Sequence, residues 1–170
     1  MLKLIEANYA DLKKEYLFSK FIPENENGYT NDWYDINEKD FEMIALKGMI
    51  DSSNGKNLPD GYVPETYFFL WDDDEIVGQF RFRHYLSDSL INGSGHIGYF
   101  IAKQFRGKGY GTAGLKLLLD KVKSNIVEDE YYLRVEKNNL PSMKVIKNNN
   151  GYIHHQDDEY VFFRIKIGNL

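Results

Sequence analysis

The stretch QFRGKGYGTAGLKLLL, residues 104–119, constrains the chain most. Gly107, Gly109 and Gly111 alternate beside Arg106 and Lys108, and the run passes directly into Leu115, Leu118, Leu119 and Val122. Those four recur at the i, i+3, i+4, i+7 spacing of an amphipathic helix, predicted over about 112–125. Just upstream, HIGYFIA (96–102) reads as a strand. A strand must therefore turn sharply into a helix through glycines. Alternating glycines let backbone N–H groups converge without Cβ obstruction. The helix N-terminus adds partial positive charge, and two basic side chains add full charges. The pattern suits an anion, phosphate above all, held between strand and helix. The plainer reading is a tight connection that needs flexible residues.

Read literally, Gly109-Tyr-Gly111-Thr-Ala-Gly114 is also a GxGxxG dinucleotide fingerprint. The context opposes it. Residues KQFR separate the strand from the first matching glycine. A doubly wound sheet needs a long βα alternation, and the flanking pattern does not supply one. No GxxxxGK[ST] loop occurs either.

Elsewhere the chain alternates less regularly. LKLIEA (2–7) reads as a strand, ADLKKEYLFSKFI (10–22) and DINEKDFEMIALKGMIDSS (35–53) as helices. In the second helix Phe41, Ile44, Ala45 and Met49 are expected on one face. PENENGYTND (23–32) is turn chemistry between them. TYFFLW (66–71) and EIVGQFRFRHYL (75–86) form a hairpin pattern around an acidic turn. In its second arm Phe80 and Phe82 alternate with Arg81 and Arg83, predicting one buried face and one wet face. SDSLINGSG (87–95) reads as a turn and YYLRVEK (131–137) as a strand. NNLPSMKVIKNNNG (138–151) has the Asn, Pro and Gly punctuation of a short helix, and two strands close the chain. The order is mixed α/β, with antiparallel hairpins prominent.

The 170 residues suit a single domain, 1–170, with 42% hydrophobic and 28% charged residues. The net charge of −5 argues against nucleic acid as a partner. There is no cysteine, which removes disulfides, thiolate metal sites and a cysteine nucleophile. The N-terminal MLKLIEANYADLKKEY has charges spread through it, unlike a signal peptide. No run approaches the ~18 apolar residues of a membrane span. The expectation is a cytoplasmic monomer or homodimer that meets no membrane.

The residues Arg106-Gly-Lys-Gly109-Tyr-Gly111 resemble the R/Q-x-x-G-x-G/A signature of the GCN5-related N-acetyltransferases (GNAT). Asn139-Leu-Pro-Ser142 and Gly151-Tyr152 resemble that family's later N-x-x-S/A helix and terminal G-F/Y. The likeness covers essentially the whole chain. GHIGYFIAKQFRGKGYG and NNLPSMKVIKNNNGY look most like a bacterial subgroup usually described as predicted acetyltransferases. The resemblance implies the GNAT fold: a central, mostly antiparallel sheet of about six or seven strands, splayed in the middle and flanked by about four helices. It implies acetyl-coenzyme A as cosubstrate, no metal, and direct transfer to a primary amine of a small molecule or peptide. By the same resemblance, backbone N–H groups of Arg106, Gly107, Lys108, Gly109, Tyr110, Gly111 and Thr112 would hold the pyrophosphate. The strand at Tyr99, Phe100 and Ile101 would pair with the pantetheine amides, and Asn139 and Ser142 would line the thiol end or the pantetheine arm. Many members carry a tyrosine seven residues after that asparagine as general acid. Here Ile146 stands there, which leaves open a non-catalytic acyl-coenzyme A sensor of the same fold.

An amine of pKa near 10 must shed a proton before it attacks. His96, at the start of the cofactor strand, and Glu136, at the end of the next, are the candidate bases. Each could equally be structural: a sheet-end histidine in a fixed hydrogen bond, or a solvent-facing strand carboxylate. His84 could sit across from His96, but no third metal ligand is in view. The acidic residues Glu24, Glu26, Asp32, Asp35, Glu38, Asp40 and Glu42 lie where this family commonly walls its acceptor site. A cationic acceptor would suit them, although a solvated polar face is the plainer account.

Overall fold

The computed structural model describes residues 1–168. A four-stranded antiparallel sheet runs β1 (Leu2–Glu6), β4 (Glu65–Asp72), β5 (Glu75–Arg83), β6 (Ile97–Ile101) in spatial order. A three-stranded antiparallel sheet runs β7 (Glu130–Glu136), β9 (Tyr160–Lys166), β8 (Tyr152–Gln156). The two meet at an isolated bridge between Gly95 and Leu133. Beyond it β6 and β7 part, so the seven strands form one splayed platform, as expected.

Helices cover both faces. α5 (Tyr110–Val122) and α6 (Leu140–Lys147) pack on one side, α1 (Leu12–Ser19) and the helical run 38–53 on the other. In α5, Leu115, Leu118, Leu119 and Val122 are all buried against Phe80, Tyr131 and Phe163. At ~1.5–3 kcal/mol per fully buried aliphatic side chain, that stripe anchors the helix to both sheets. Gly114 sits where α5 crosses β5: a Cβ there would lie 2.4 Å from Phe80 Cζ.

Three local features depart from the sequence reading. Residues 38–53 are one helical run of α2 (Glu38–Asp40), a π-helical segment (Phe41–Leu46) and α3 (Lys47–Ser53). The wider turn shifts the inward face to Phe41, Ala45, Leu46 and Met49, and Ile44 is turned outward. The segment 87–95 contains a short helix, α4 (Asp88–Ile91). Within PENENGYTND, β2 (Asn25–Glu26) and β3 (Tyr29–Thr30) form a small hairpin. Its two-residue turn is Asn27-Gly28, both at positive φ, the combination that a tight two-residue hairpin loop demands.

The largest departure is on β5. Arg81 is only 7% exposed, and Gln79 is buried as well. The face expected to be wet is roofed by the β2–β3 hairpin and backed by the helical layer. It becomes an internal polar seam of Gln79, Arg81 and Arg83, with Glu65, Tyr29 and Tyr67 around it.

Candidate active site

The parting of β6 and β7 opens a cavity of about 650 Å³. The register fixes what β6 offers it. Arg83 N–H donates to His96 O, and Ala102 N–H to Val77 O. With Phe80 opposite Tyr99 and Arg81 opposite Gly98, residues 98, 100 and 102 and the carbonyl of His96 therefore bond toward β5. The N–H and C=O groups of Tyr99 point the other way, into the cleft that β7 has left. Ile101 O faces there too and accepts from Arg106 Nε at 2.8 Å.

The glycine turn closes one end of the cleft. Gly107 and Gly109 have φ of 77° and 86°. A Cβ on either would meet nothing within 4 Å, so the space before them is open. Gly109 precedes α5 and no side chain caps the helix. Ala113 N–H donates to Gly109 O, which starts the helical ladder. The N–H groups of Tyr110, Gly111 and Thr112 therefore have no intrahelical acceptor. A pyrophosphate-sized anion fits this cradle of unpaired donors and open space.

The charged residues of the turn do less than their formal charge suggests. Arg106 N–H is already bonded to Lys103 O, and its guanidinium is paired with Glu26 of the hairpin. That pairing holds the Glu26 carboxyl below its usual range. Lys108 lies over the Phe105 ring. Tyr110 turns from the cleft, and its hydroxyl donates to Asp72 at 2.7 Å.

Across the cleft, Asn139 caps α6 by accepting from Ser142 N–H at 3.2 Å. The Ser142 hydroxyl lies 2.6 Å from the hydroxyl of Tyr99, whose ring stacks on Phe80. Burial pushes the Tyr99 phenol pKa up. Phe100 points to the opposite face, among Phe18 and Tyr29. Ile146 is fully buried at the cavity wall. Tyr152 lies outside the cavity, bonded to Glu130.

The two expected bases separate cleanly. Glu136 lines the cavity, with the hairpin tip above it: a Cβ on Gly28 would stand 3.5 Å from Glu136 Oε1. His96 does not face the cavity. Its ring has no exposure, its Nδ1 accepts from Tyr132 N–H at 2.9 Å, and its Nε2 donates to Glu128 at 2.9 Å. Burial lowers its pKa, against the pull of Glu128, so the ring stays neutral. Both nitrogens are committed. His96 is therefore corrected from catalytic base to structural joint: with its own N–H donating to Tyr132 O, it ties the two sheets where the splay begins. His84 bonds Thr66 instead of facing the cleft, and His154 and His155 lie exposed on edge strand β8.

Of the acidic segment, only Glu26 reaches the cavity wall. Residues 24, 32, 35, 38 and 42 are exposed. The hairpin roof was missed by sequence reasoning, although Asn27-Gly28 carries its signature.

Comparison with known proteins agrees with this architecture. A sequence profile described as the acetyltransferase (GNAT) family matches residues 27–152. No protein of curated function matches the sequence. Among solved structures, Mycobacterium smegmatis RimJ in complex with CoA-disulfide is similar at a TM-score of 0.71 and 19% identity, over 99% of this chain and 83% of that one. An acetyltransferase of the GNAT family from Streptococcus pneumoniae gives 0.64 and 14%, over 99% and 100%. Campylobacter jejuni N-acetyltransferase PseH in complex with acetyl coenzyme A gives 0.59 and 15%, over 98% and 99%.

Proposed function

The chain belongs to the acetyltransferase (GNAT) family, and from that premise we propose that it moves the acetyl group of acetyl-coenzyme A directly to a primary amine. One observation carries the reading. The unpaired backbone groups of Tyr99 face a cleft whose far end is the open glycine cradle. A thioester on a long, amide-bearing phosphate ester is the donor that uses both. Its pyrophosphate would meet the N–H groups from Gly107 to Thr112, and its amides would pair with β6 in the manner of an added strand. The Tyr99 N–H would then face the carbonyl oxygen as negative charge develops there.

The chain's own side chains divide the proton work. Glu136 takes the proton of the attacking amine as nitrogen bonds to the carbonyl carbon. The carbon–sulfur bond breaks, and the departing sulfur needs a proton or solvation. With Ile146 at the usual tyrosine position, that role falls to Tyr99. Of the cavity-lining phenols, it is the one that reaches the α6 N-terminus beside Ser142. A phenol beside Ser142 on the cavity wall supports turnover over the silent sensor suggested by Ile146.

The test is calorimetric titration with acetyl-coenzyme A beside NAD, followed by thiol release with an amine panel. Micromolar binding of acetyl-coenzyme A alone, with amine-dependent thiol release, is expected. A folded protein that binds no acetyl-coenzyme A would overturn the reading. Binding without product for any amine would restore the sensor.

A further inference from the structure

The hairpin side of the cavity is built on the polar seam of β5. Four arginines line the cavity, Arg81, Arg83, Arg106 and Arg134, against two carboxylates, Glu26 and Glu136. At the rim Arg106 and Glu26 satisfy each other. Arg134 lies over the Tyr160 ring, its Cζ 4.2 Å from the centroid. Arg83 Nη1 donates to Gly95 O at 3.0 Å. Arg81 and Arg83 share one carboxylate behind them, Glu65, at 3.7 and 3.4 Å. Both distances exceed a normal charge-assisted hydrogen bond.

Arg81 is the unusual member. It is more than nine-tenths buried, its Nε has no hydrogen-bond partner, and its Cζ lies 4.4 Å from the centroid of the Tyr29 ring. Beside it, Gln79 Oε1 accepts from the Tyr29 hydroxyl at 2.6 Å, and Gln79 Nε2 is unpaired. The residue opposite Arg81 on β6 is Gly98, and a Cβ there would lie 3.8 Å from Arg81 Nε. No side chain at 98 stands between the guanidinium and the cleft. Two guanidiniums sharing one carboxylate in a buried seam is costly by itself, because a buried charge needs close pairing. A planar anion answers that arrangement, since the guanidinium fork takes a carboxylate through two parallel bonds.

We infer that the acceptor is an amine carrying its own carboxylate, which Arg81 and Arg83 receive while the amine faces Glu136. This inference rests on the acetyltransferase reading and names the substrate class of its acceptor end. It reverses the cationic acceptor expected from the acidic segment, whose exposed carboxylates lie elsewhere. A polyamine would bring positive charge against this pair.

The experiment uses matched amines that differ only in the carboxylate: glycine and glycinamide, β-alanine and β-alaninamide, 4-aminobutyrate and its amide, with spermidine as the polycation. Thiol release gives kcat/KM, and titration of the coenzyme A-loaded protein gives binding independent of turnover. The expected result is that at least one acid is preferred over its own amide tenfold or more in one of the two readouts, with spermidine poorer than both. Arg83→Gln should bring that acid down toward its amide. If the variant does not fold, the wild-type pairs decide. Amides or spermidine used as well as the acids, or no acid bound by the coenzyme A-loaded protein, would overturn the inference while leaving the cofactor reading intact. Failure to bind acetyl-coenzyme A itself would remove both.

Discussion

Substituting the glycines of the α5 turn separates three physical roles that the sequence writes with one letter. Gly109 has φ of 86° and free space before it, so Gly109→Ala meets no clash. Its cost is the left-handed backbone, ~1–2 kcal/mol for an L-residue. For a chain of this size that is a Tm loss of roughly 2–8 °C. Gly114→Ala meets the opposite situation, because its Cβ would stand 2.4 Å from Phe80 Cζ and 2.9 Å from Leu70 Cδ2. Overpacking costs ~1–3 kcal/mol, partly offset by the ~1 kcal/mol helix preference of alanine. Both variants should lose stability, but only Gly109→Ala should lose acetyl-coenzyme A affinity. Gly109→Asn makes the distinction sharp. Asparagine tolerates the left-handed conformation, so much of the stability should return. Its side chain still stands where the phosphate would approach, so affinity should stay at least tenfold down, about 1.4 kcal/mol. Chemical denaturation and calorimetry on the three variants give both axes. A Gly109→Asn protein that binds acetyl-coenzyme A like the wild type would refute the phosphate cradle.

Other perturbations test the remaining parts of the site. Tyr99→Phe should lower kcat about tenfold or more while leaving acetyl-coenzyme A affinity near wild type; unchanged turnover would remove Tyr99 as proton donor. His96 is held neutral with its pKa below the ordinary ~6.5, so the unfolded chain takes up a proton that the folded chain refuses. Its contribution is full above about pH 6.5 and is lost as pH falls below it. Denaturation midpoints of His96→Asn should therefore fall less steeply than wild type between pH 7.5 and 5, and parallel slopes would contradict the assignment. Glu15 shows the reverse sign: burial raises its carboxyl pKa to about 8, and one carboxylate oxygen has no partner. Folding favours its protonated form, so stability drops as pH rises from about 4.5 through 8. Glu15→Gln should gain on wild type at pH 8.5 relative to pH 5, and an equal difference at both would count against a protonated Glu15.

The glycine-turn side of the cleft was legible because its signals are local. The glycine turn, the α5 stripe and the Asn139 cap each act over a few residues, and each was found near its expected place. The polar seam of β5 was not, because its meaning is set by what covers it. Arg81 and Arg83 alternate with phenylalanines as any half-exposed strand would. Only the hairpin some fifty residues upstream turns their face into an interior. Asn27-Gly28 announces that hairpin, but amid turn-forming residues on both sides its two-residue strands are easily read as loop. Periodicity misled in the 38–53 helix for a related reason. A π turn changes the residue count per turn, and no single residue there advertises it. His96 was misjudged because a titratable residue near a cleft looks the same in sequence whether it faces inward or outward.

The division of the platform has an evolutionary side. The proposed cofactor seat is assembled from residues between Tyr99 and Ser142. The polar seam and its roof come mainly from residues 26–83, which precede the joint at His96 in sequence. If the proposed acceptor site is right, drift in the hairpin or along one face of β5 retunes the acceptor, provided that the Glu26–Arg106 pair and the β5–β6 ladder beside the glycine turn are kept. A chimera that exchanged only that portion with a relative would be the natural way to move acceptor preference between them.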